Sequence, residues 1–404
     1  MSRGAAPARI LALAVFAAAW PLRAQDVPPA AAPQPASPAA APHALPPAAA
    51  PHPVPPASAP ESVPPAQGAQ GALAQDLQSL VLQPGEIARI AGLAVLRDED
   101  FDRYLGTVYA RLPEGDAALT QLAGEALIEH DAAAAGIVAT EADVDASIAA
   151  LDEAVRAAAG NHGKGFEESV TAGVSKAQMR EAVRRLVLHE RLVRAADGLP
   201  AEAPVKPERL KAWLDARLAG AKLQAASLDD PLAAVFDGGS LSKAEIGARL
   251  RSVLAPQVQT GVLTELIGVQ LVRARANLLG VDLTNAAVTR EILDRDAALQ
   301  AQAGAQDVSY EQFVQTVQKR SLAELLTSDK FSAEVLLREL TERTFSETQA
   351  RSFWEKNKPA FQAASKGKLG PGADWAAASP LVWRELRQRT YRALFEQSRI
   401  ARRL

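Results

Sequence analysis

Apolar residues recur at three- and four-residue intervals from about residue 85 onward, with Gly, Pro and capping residues between the apolar runs. This spacing predicts a series of amphipathic helices. One helix ends near Gly136 and the next begins at Thr140. Ser175 and Gln178 have the spacing of a capping box, which predicts the start of a further helix.

The order of these signals repeats 144 residues later in the chain. Residues 119–170 align with residues 263–314 without a gap, and about a third of the aligned positions are identical. The identical positions include residues that end or begin helices, such as Gly136 with Gly280 and Thr140 with Thr284. Agreement at such positions indicates that one structural unit has been duplicated.

The whole pattern predicts an all-α fold with short β-strands at the start of each copy, at 87–96 and 232–241. Ser242 and Glu245 form a second capping-box pattern after the later strand region. The predicted segments are a signal peptide at 1–24, a Pro/Ala-rich disordered linker at 25–74, a first helical module at 85–222, a second helical module at 231–363, and a loop with an Arg-rich C-terminal helix at 364–404.

The first residues have the pattern of a Sec-type signal peptide. Arg3 and Arg9 provide a positive start, an apolar run follows from Ile10 to Trp20, and Ala24 ends a plausible cleavage site. Because the run is shorter than the roughly 20 apolar residues that span a bilayer, a retained anchor is the less favoured alternative. We therefore expect export to the periplasm of a Gram-negative bacterium, with no stable membrane insertion after cleavage.

Composition narrows the chemistry of the mature chain. The absence of cysteine excludes disulfides, thiol nucleophiles and cysteine-ligated clusters. Loss of the three arginines in residues 1–24 would change the formal charge from −3 to −6, and an acidic chain gives no reason to expect nucleic-acid binding. Fifteen of the 27 prolines lie between Pro28 and Pro65, which is typical of an extended, disordered spacer.

The modules resemble the N-terminal chaperone domain of the SurA/PrsA/PpiD group of extracytoplasmic foldases, which is also related to the trigger-factor C-terminal domain. The residues that carry this resemblance run in the same order in both copies. They are Ala132 to Ile137, Thr140, Phe166-Glu167 and Ser175 to Val193 in the first copy, and Gly280-Val281, Thr284 and Tyr310-Glu311 in the second.

In many relatives the segment that matches 205–218 leads into a parvulin-type prolyl isomerase domain. Here the second module begins within about fifteen residues of Leu218. After Lys358 only a short Arg-rich region without histidine remains. We therefore expect no isomerase domain and no enzymatic activity, although the resemblance keeps membership of an isomerase family as a third alternative.

The resemblance implies an ATP-independent periplasmic holdase whose helices enclose an apolar cradle. Its partners would be unfolded polypeptides, including outer-membrane protein precursors. Candidate client-binding positions are the periodic apolar residues Leu122, Leu127, Val144, Ile148, Val183, Leu186, Leu266, Leu271, Val288 and Ile292. The alternative from another class is a helical adaptor that holds one folded partner or dimerises. A wide apolar groove would favour the holdase, and a flat polar face or a filled groove would favour the adaptor.

No pattern in the chain indicates catalysis, a cofactor or a metal. His43 and His52 lie in the linker, and His130, His162 and His189 lack the close spacing of a zinc site. For these three histidines we expect solvent-facing side chains. The glycine-rich stretch at 160–165 lacks the Lys-Ser/Thr of a phosphate-binding loop and is better explained as a connection between helices.

The C-terminal helix is expected at about 380–403. It carries seven arginines between Arg384 and Arg403, interleaved with Trp383, Leu386, Leu394, Phe395 and Leu404. One interpretation is a surface for anionic lipid or nucleic acid. The interpretation that we favour is structural: the apolar residues pack on the modules and the arginine stems cover the edges.

Deletion of residues 25–74 tests the linker assignment. Because this tract has few large apolar side chains with which to build a core, its removal should leave the melting temperature of the remainder within a few degrees of the full chain, the shift that about 1 kcal/mol produces. Thermal unfolding of the two proteins under one condition measures the difference. A larger decrease would show that the tract packs on the folded body.

Overall fold

The computed structural model describes residues 81–157, 165–170, 174–228, 230–300, 308–365, 369–370 and 372–403. The predicted signal peptide and linker, His162 and Leu404 lie outside these residues. The described chain is mainly helical with two small antiparallel sheets, so the predicted all-α class with short strands is confirmed. None of the helices described is long and apolar enough to cross a membrane.

Six strands and fourteen helices make up the described chain. The strands are β1 (Glu86–Ile90), β2 (Ala94–Arg97), β3 (Gln224–Ala225), β4 (Leu232–Phe236), β5 (Gly239–Ser242) and β6 (Ile400–Arg402). The helices are α1 (Asp98–Tyr109), α2 (Pro113–Ala134), α3 (Glu141–Ala157), α4 (Phe166–Val170), α5 (Lys176–Asp197), α6 (Pro207–Gly220), α7 (Lys243–Val253), α8 (Pro256–Leu278), α9 (Asn285–Gln300), α10 (Tyr310–Val317), α11 (Leu322–Leu326), α12 (Asp329–Thr344), α13 (Glu347–Ala364) and α14 (Trp375–Gln397).

The turn after the central helix of each repeat has the same construction in both copies. Gly136 after α2 and Gly280 after α8 have φ values of +65° and +59°, a left-handed conformation that glycine adopts without strain. The amide of Ile137 donates to the Ala132 carbonyl over 2.8 Å, and the amide of Val281 donates to the Ala276 carbonyl over the same distance.

The repeats also share a hydrogen bond between elements that are distant in sequence. The amide of Phe166 donates to Asp152 Oδ1 over 2.7 Å, and the amide of Tyr310 donates to Asp296 Oδ1 over 2.7 Å. Both pairs differ by the 144-residue offset. The hydroxyl oxygens of Thr140 and Thr284 accept amide hydrogen bonds at the starts of α3 and α9. The aligned positions therefore have the same local structure.

Capping residues begin the helices as their sequence pattern predicts. Complete capping boxes join Ser175 with Gln178 at α5 and Ser242 with Glu245 at α7. The strand pairs β1–β2 and β4–β5 occupy the two regions where short strands were expected.

The contacts divide the described chain into two compact units. Unit 1 contains residues 102–255, and unit 2 contains residues 81–101 and 256–403. The predicted modules follow the repeat in the sequence, whereas the units combine parts of both repeats. The hairpin β4–β5 and helix α7 come from the second repeat but pack on α2 in unit 1. The hairpin β1–β2 comes from the first repeat but pairs with β6 in unit 2.

Glycines allow α7, which belongs to the second repeat in sequence, to approach α1 closely within unit 1. A Cβ atom on Gly247 would lie 1.7 Å from the carbonyl oxygen of Asp102, and one on Gly106 would lie 2.0 Å from the carbonyl oxygen of Lys243. Such distances are far below van der Waals contact, so only glycine fits at these positions. Arg249 of α7 also donates to Glu125 of α2 over 2.9 Å.

A glycine at the same repeat position lets another helix lie directly on the central helix of each unit. A Cβ atom on Gly124 of α2 would lie 3.3 Å from the Leu214 side chain of α6. The equivalent residue of α8, Gly268, faces Tyr391 of α14, whose hydroxyl oxygen would lie 1.9 Å from an added Cβ. Helix α14 therefore takes in unit 2 the place that α6 takes in unit 1.

The C-terminal helix begins and ends earlier than predicted, because Asp374 caps its start and the chain turns at Ser398 into β6. Ala378, Val382, Leu386 and Leu394 of α14 are buried in unit 2. Its arginines also have partners within the unit: Arg387 lies 3.5 Å from Glu291, and the Arg389 guanidinium lies 4.5 Å from the centre of the Phe353 ring. These contacts agree with the structural interpretation of the helix.

Two glycine-to-alanine variants of α8 test the close packing of α14. Gly268→Ala should reduce the free energy of unfolding by about 1–3 kcal/mol, because the added methyl group overlaps the Tyr391 ring. Gly261→Ala is the matched control, since its Cβ would meet open space and alanine favours helix by about 1 kcal/mol. Urea unfolding measures both, and equal stability of the two variants would contradict this packing.

Candidate functional site

An open groove of about 810 Å³ lies in unit 1 beside the contact between α3 and α5. The two helices are held together by a core cluster of Val144, Leu151, Phe166, Met179 and Val183. Beyond this cluster the groove is bounded by α3, α5 and the segments that follow α2 and α5. Its lining residues are Ile137, Val138, Asp143, Ala146, Ser147, Leu151, Leu186, Val187, Glu190, Arg191, Arg194, Ala195, Leu199, Ala201 and Glu202.

The groove combines buried and exposed apolar residues. Leu151 and Leu186 are buried and lie where the groove adjoins the core. Val138 and Leu199, in the two bordering segments, are 68% and 40% exposed. Small side chains such as Ala146 complete the wall on α3. An apolar ligand in the groove would therefore remove exposed apolar surface from water, which favours binding.

Four charged residues of the groove form two ion pairs. Arg191 donates to Asp143 over 2.6 Å and also reaches the carbonyl oxygen of Val138. Arg194 donates to Glu190 over 2.7 Å. Since each of these four charges already has an opposite charge beside it, the two pairs do not require a matching charge on a ligand.

The Asp143 carboxylate has a fixed position at the start of α3. It accepts hydrogen bonds from the Thr140 amide and the Thr140 hydroxyl, each over 2.8 Å. These bonds, together with Arg191, lower the pKa of Asp143 to about 2. The carboxylate therefore stays ionised at neutral and mildly acidic pH and holds the Arg191 side chain against the wall.

The structure places six of the ten candidate client-binding residues inside the units. Leu127, Val144, Val183, Leu186, Leu266 and Leu271 are buried. Leu122, Ile148, Val288 and Ile292 are half-buried. Their helical periodicity identifies the faces that pack against neighbouring helices, so in this conformation the buried six hold the units together. Of the ten, only Leu186 lines the groove.

The residues that give the groove its exposed apolar surface were not candidates in the sequence analysis. Val138 follows the Gly136 turn, and Leu199 follows the Gly198 cap of α5. Both lie outside the helical periodicity. Their signal is an exposed apolar side chain one or two residues after a helix-ending glycine.

A second cavity of about 440 Å³ lies in unit 2 and is lined by Glu342, Phe345, Ser346, Glu347, Trp375, Ser379 and Trp383. Three of its lining residues, Glu342, Glu347 and Trp375, already contact other side chains of unit 2. Arg351 donates to Glu347 over 2.7 Å, and its guanidinium lies 5.4 Å from the centre of the Trp375 ring. Glu342 is bound by Arg290 and Arg338.

The described residues contain no group of three or more His, Asp and Glu side chains that could hold a metal ion. His130 is half exposed and lies 3.1 Å from Asp131, as expected for a solvent-facing histidine. His189 differs from the expectation: it is buried against α6, with its ring centre 5.1 Å from that of Trp213. The reason is its place on the α5 face that α6 covers.

Comparisons of the chain with models of protein families, with curated proteins and with solved structures give no match. The resemblance to extracytoplasmic foldases therefore stays a prediction from the sequence.

The buried His189 predicts a loss of stability in mild acid. Neither ring nitrogen has a well-formed hydrogen bond, and burial lowers the pKa of His189 to about 4, an effect that the Leu210 carbonyl partly offsets. The unfolded chain binds this proton near pH 6.5. Stability from the neutral ring is therefore complete above pH 6.5 and decreases as the pH falls toward 4, by on the order of 3 kcal/mol in total.

His189→Leu should remove this part of the pH dependence, because the leucine has no proton to bind. Urea unfolding between pH 7 and pH 4 would measure the change for wild type, His189→Leu and the matched control His130→Gln, whose ring is exposed. The prediction requires the His189→Leu curve to be flatter than the other two. Three parallel curves would contradict it.

Proposed function

We propose that the protein is an ATP-independent periplasmic chaperone that holds apolar segments of unfolded polypeptides in the groove of unit 1. Clients would include outer-membrane protein precursors. The observation that carries the proposal is the groove itself, which is open, has an apolar floor and exposes Val138 and Leu199 at its borders. Export rests on the predicted signal peptide, and the client class rests on the resemblance of the modules to foldases.

The size and chemistry of the groove suit a short extended segment. A volume of about 810 Å³ falls within the range of roughly 300–1,000 Å³ for ligand sites. An extended chain directs alternate side chains to opposite sides, so apolar side chains could enter the groove while the others stay in water. The paired charges add no fixed requirement for a charged client, which favours loose specificity.

The groove also bears on the alternative of an adaptor for a folded partner. A folded partner presents a preformed surface and needs a matching interface, typically about 800 Å² on each side. A concave trough with an apolar floor, formed by one helix pair and its bordering segments, fits a flexible segment better than such a surface. An adaptor would bind its partner without protecting unfolded proteins from aggregation.

Substitution of the exposed apolar residues tests the proposal. Val138→Asp with Leu199→Asp should weaken binding of an unfolded outer-membrane protein at least about tenfold, because charged side chains replace apolar contacts worth roughly 1.5–3 kcal/mol each when fully buried. Both positions are exposed, so the fold should tolerate the change. Suppression of aggregation during dilution from urea provides the second readout.

The matched control is Leu278→Asp with Leu293→Asp, two leucines in unit 2 that are 70% and 63% exposed and do not line the groove. This control should bind and protect like wild type. Wild-type protein that neither binds the unfolded protein nor delays its aggregation would refute the chaperone function. An equal loss in both double variants would show that binding does not use the groove.

A further inference from the structure

We infer that the first repeat alone carries the client-binding groove and that residues 146 and 187 decide whether the groove is open. The inference rests on the proposed function and deepens it. In the second repeat, ion pairs join the helices that correspond to the two groove walls. One chain would therefore bind one apolar segment, although it carries the fold unit twice.

The correspondence between the walls follows from the repeat. Helix α3 aligns with α9 at the 144-residue offset, which pairs Val144 with Val288 and Ile148 with Ile292. Helix α5 aligns with α12 at an offset of 152 residues. The second offset rests on four identities: Val183 with Val335, Leu188 with Leu340, Glu190 with Glu342, and Arg191 with Arg343.

The contacts of the paired residues support the second offset. Val183 and Val335 are both buried, and so are Leu188 and Leu340. Arg191 donates to the carbonyl oxygen of Val138. Arg343 donates to the carbonyl oxygen of Gly280 over 3.3 Å, so both arginines reach back to the turn after the central helix.

Charged side chains stand in unit 2 where the groove is lined by small or apolar side chains in unit 1. The exchanged pairs on the first wall are Ala146 with Arg290, Ser147 with Glu291 and Leu151 with Arg295; those on the second wall are Leu186 with Arg338 and Val187 with Glu339. All five residues of unit 1 line the groove.

These charged side chains connect α9 with α12 directly. Arg290 binds Glu339 and lies 2.9 Å from Glu342. Arg338 lies 3.2 Å from Glu291, and Arg295 lies 2.5 Å from Glu334. Arg338 and Glu291 are only 12% and 6% exposed at their side chains, so this pair lies between the helices. Arg290 and Glu339 are 44% and 26% exposed and lie nearer the rim.

Ion pairs also join α3 and α5 in unit 1, among them Arg191 with Asp143. Ala146 and Val187 have neither the length nor the charge to form the pair that corresponds to Arg290 and Glu339. Glu190, which corresponds to Glu342, pairs along its own helix with Arg194. The exposed Ala146 and the half-buried Val187 thus carry no charged cover. An extended apolar segment covers them in the way that the arginine stems cover the second repeat.

Restoring the ion pair in the first repeat tests the inference. Ala146→Arg with Val187→Glu reproduces Arg290 and Glu339 and should weaken binding of a fluorescein-labelled, Leu- and Val-rich peptide at least about tenfold, measured by fluorescence anisotropy. The matched control is Ala149→Arg with Ala196→Glu, which introduces the same two side chains at exposed positions of α3 and α5 outside the groove. The control should bind like wild type, with one peptide per chain.

A chemical block provides a second measurement that does not depend on how the double variant folds. Because the chain has no cysteine, Ala146→Cys can be labelled at a single site with a bulky maleimide. Labelling after folding should abolish peptide binding, whereas labelling of Ala149→Cys should leave binding unchanged.

The outcomes separate this inference from the proposed function. If wild-type protein binds the peptide and both the ion-pair variant and the labelled Ala146→Cys protein bind equally well, the inference is wrong and the chaperone function stands with another site. A stoichiometry of two peptides per chain would also overturn the inference. If wild-type protein binds neither the peptide nor an unfolded outer-membrane protein, the inference and the proposed function fail together.

Discussion

Each unit is built around one long central helix that a later helix covers at close range. Gly124 of α2 and Gly268 of α8 are equivalent residues of the repeat, and each leaves room for a large side chain of the covering helix. Close approach brings many atoms into contact, and packing gains depend on such dense contact. In unit 2 the covering helix is α14. Helix α13, which follows α12 as α6 follows α5, packs on α14 through Ala350 and Trp354 instead.

The two repeats use one backbone frame for two different surfaces. The frame depends on residues that both copies keep, namely the glycine turn after the central helix, the capping threonine and the aspartate that binds the following segment. The residues between α3 and α5 are free to differ because the frame does not need them. In the first copy they leave an apolar trough, and in the second they form partly buried ion pairs whose charges are all within reach of an opposite charge.

Sequence patterns predicted the local structure well, because glycine turns and capping residues act over a few positions. Gly136, Thr140 and the Ser175 capping box each have the role that their spacing predicts. No local pattern predicts that the hairpin of each repeat packs in the unit of the other repeat. The position of β4–β5 in unit 1 depends on its packing against α2, which is distant in sequence. Which of the candidate client-binding residues are buried could not be predicted for the same reason. Periodicity shows that Val144 and Leu186 lie on an apolar helix face, and only the packing of α3 and α5 within unit 1 shows that they are buried. The burial of His189 depends in the same way on where α6 lies.

The pairing of β1 with β6 has a consequence for the order in which the chain can fold as it is synthesised. Strand β1 contributes residues 86–90, and its partner β6 contributes residues 400–402, so nearly the whole folded chain separates them. Arg403 reaches back to Asp98 in the same way, over 2.8 Å. Unit 1 has all of its residues once position 255 has been made, whereas β1 gains its second partner strand only when β6 has been made. Contacts of such long range form late and leave strand edges exposed in the meantime. The edge of β1 that β6 covers would thus stay unpaired until the last residues have been made.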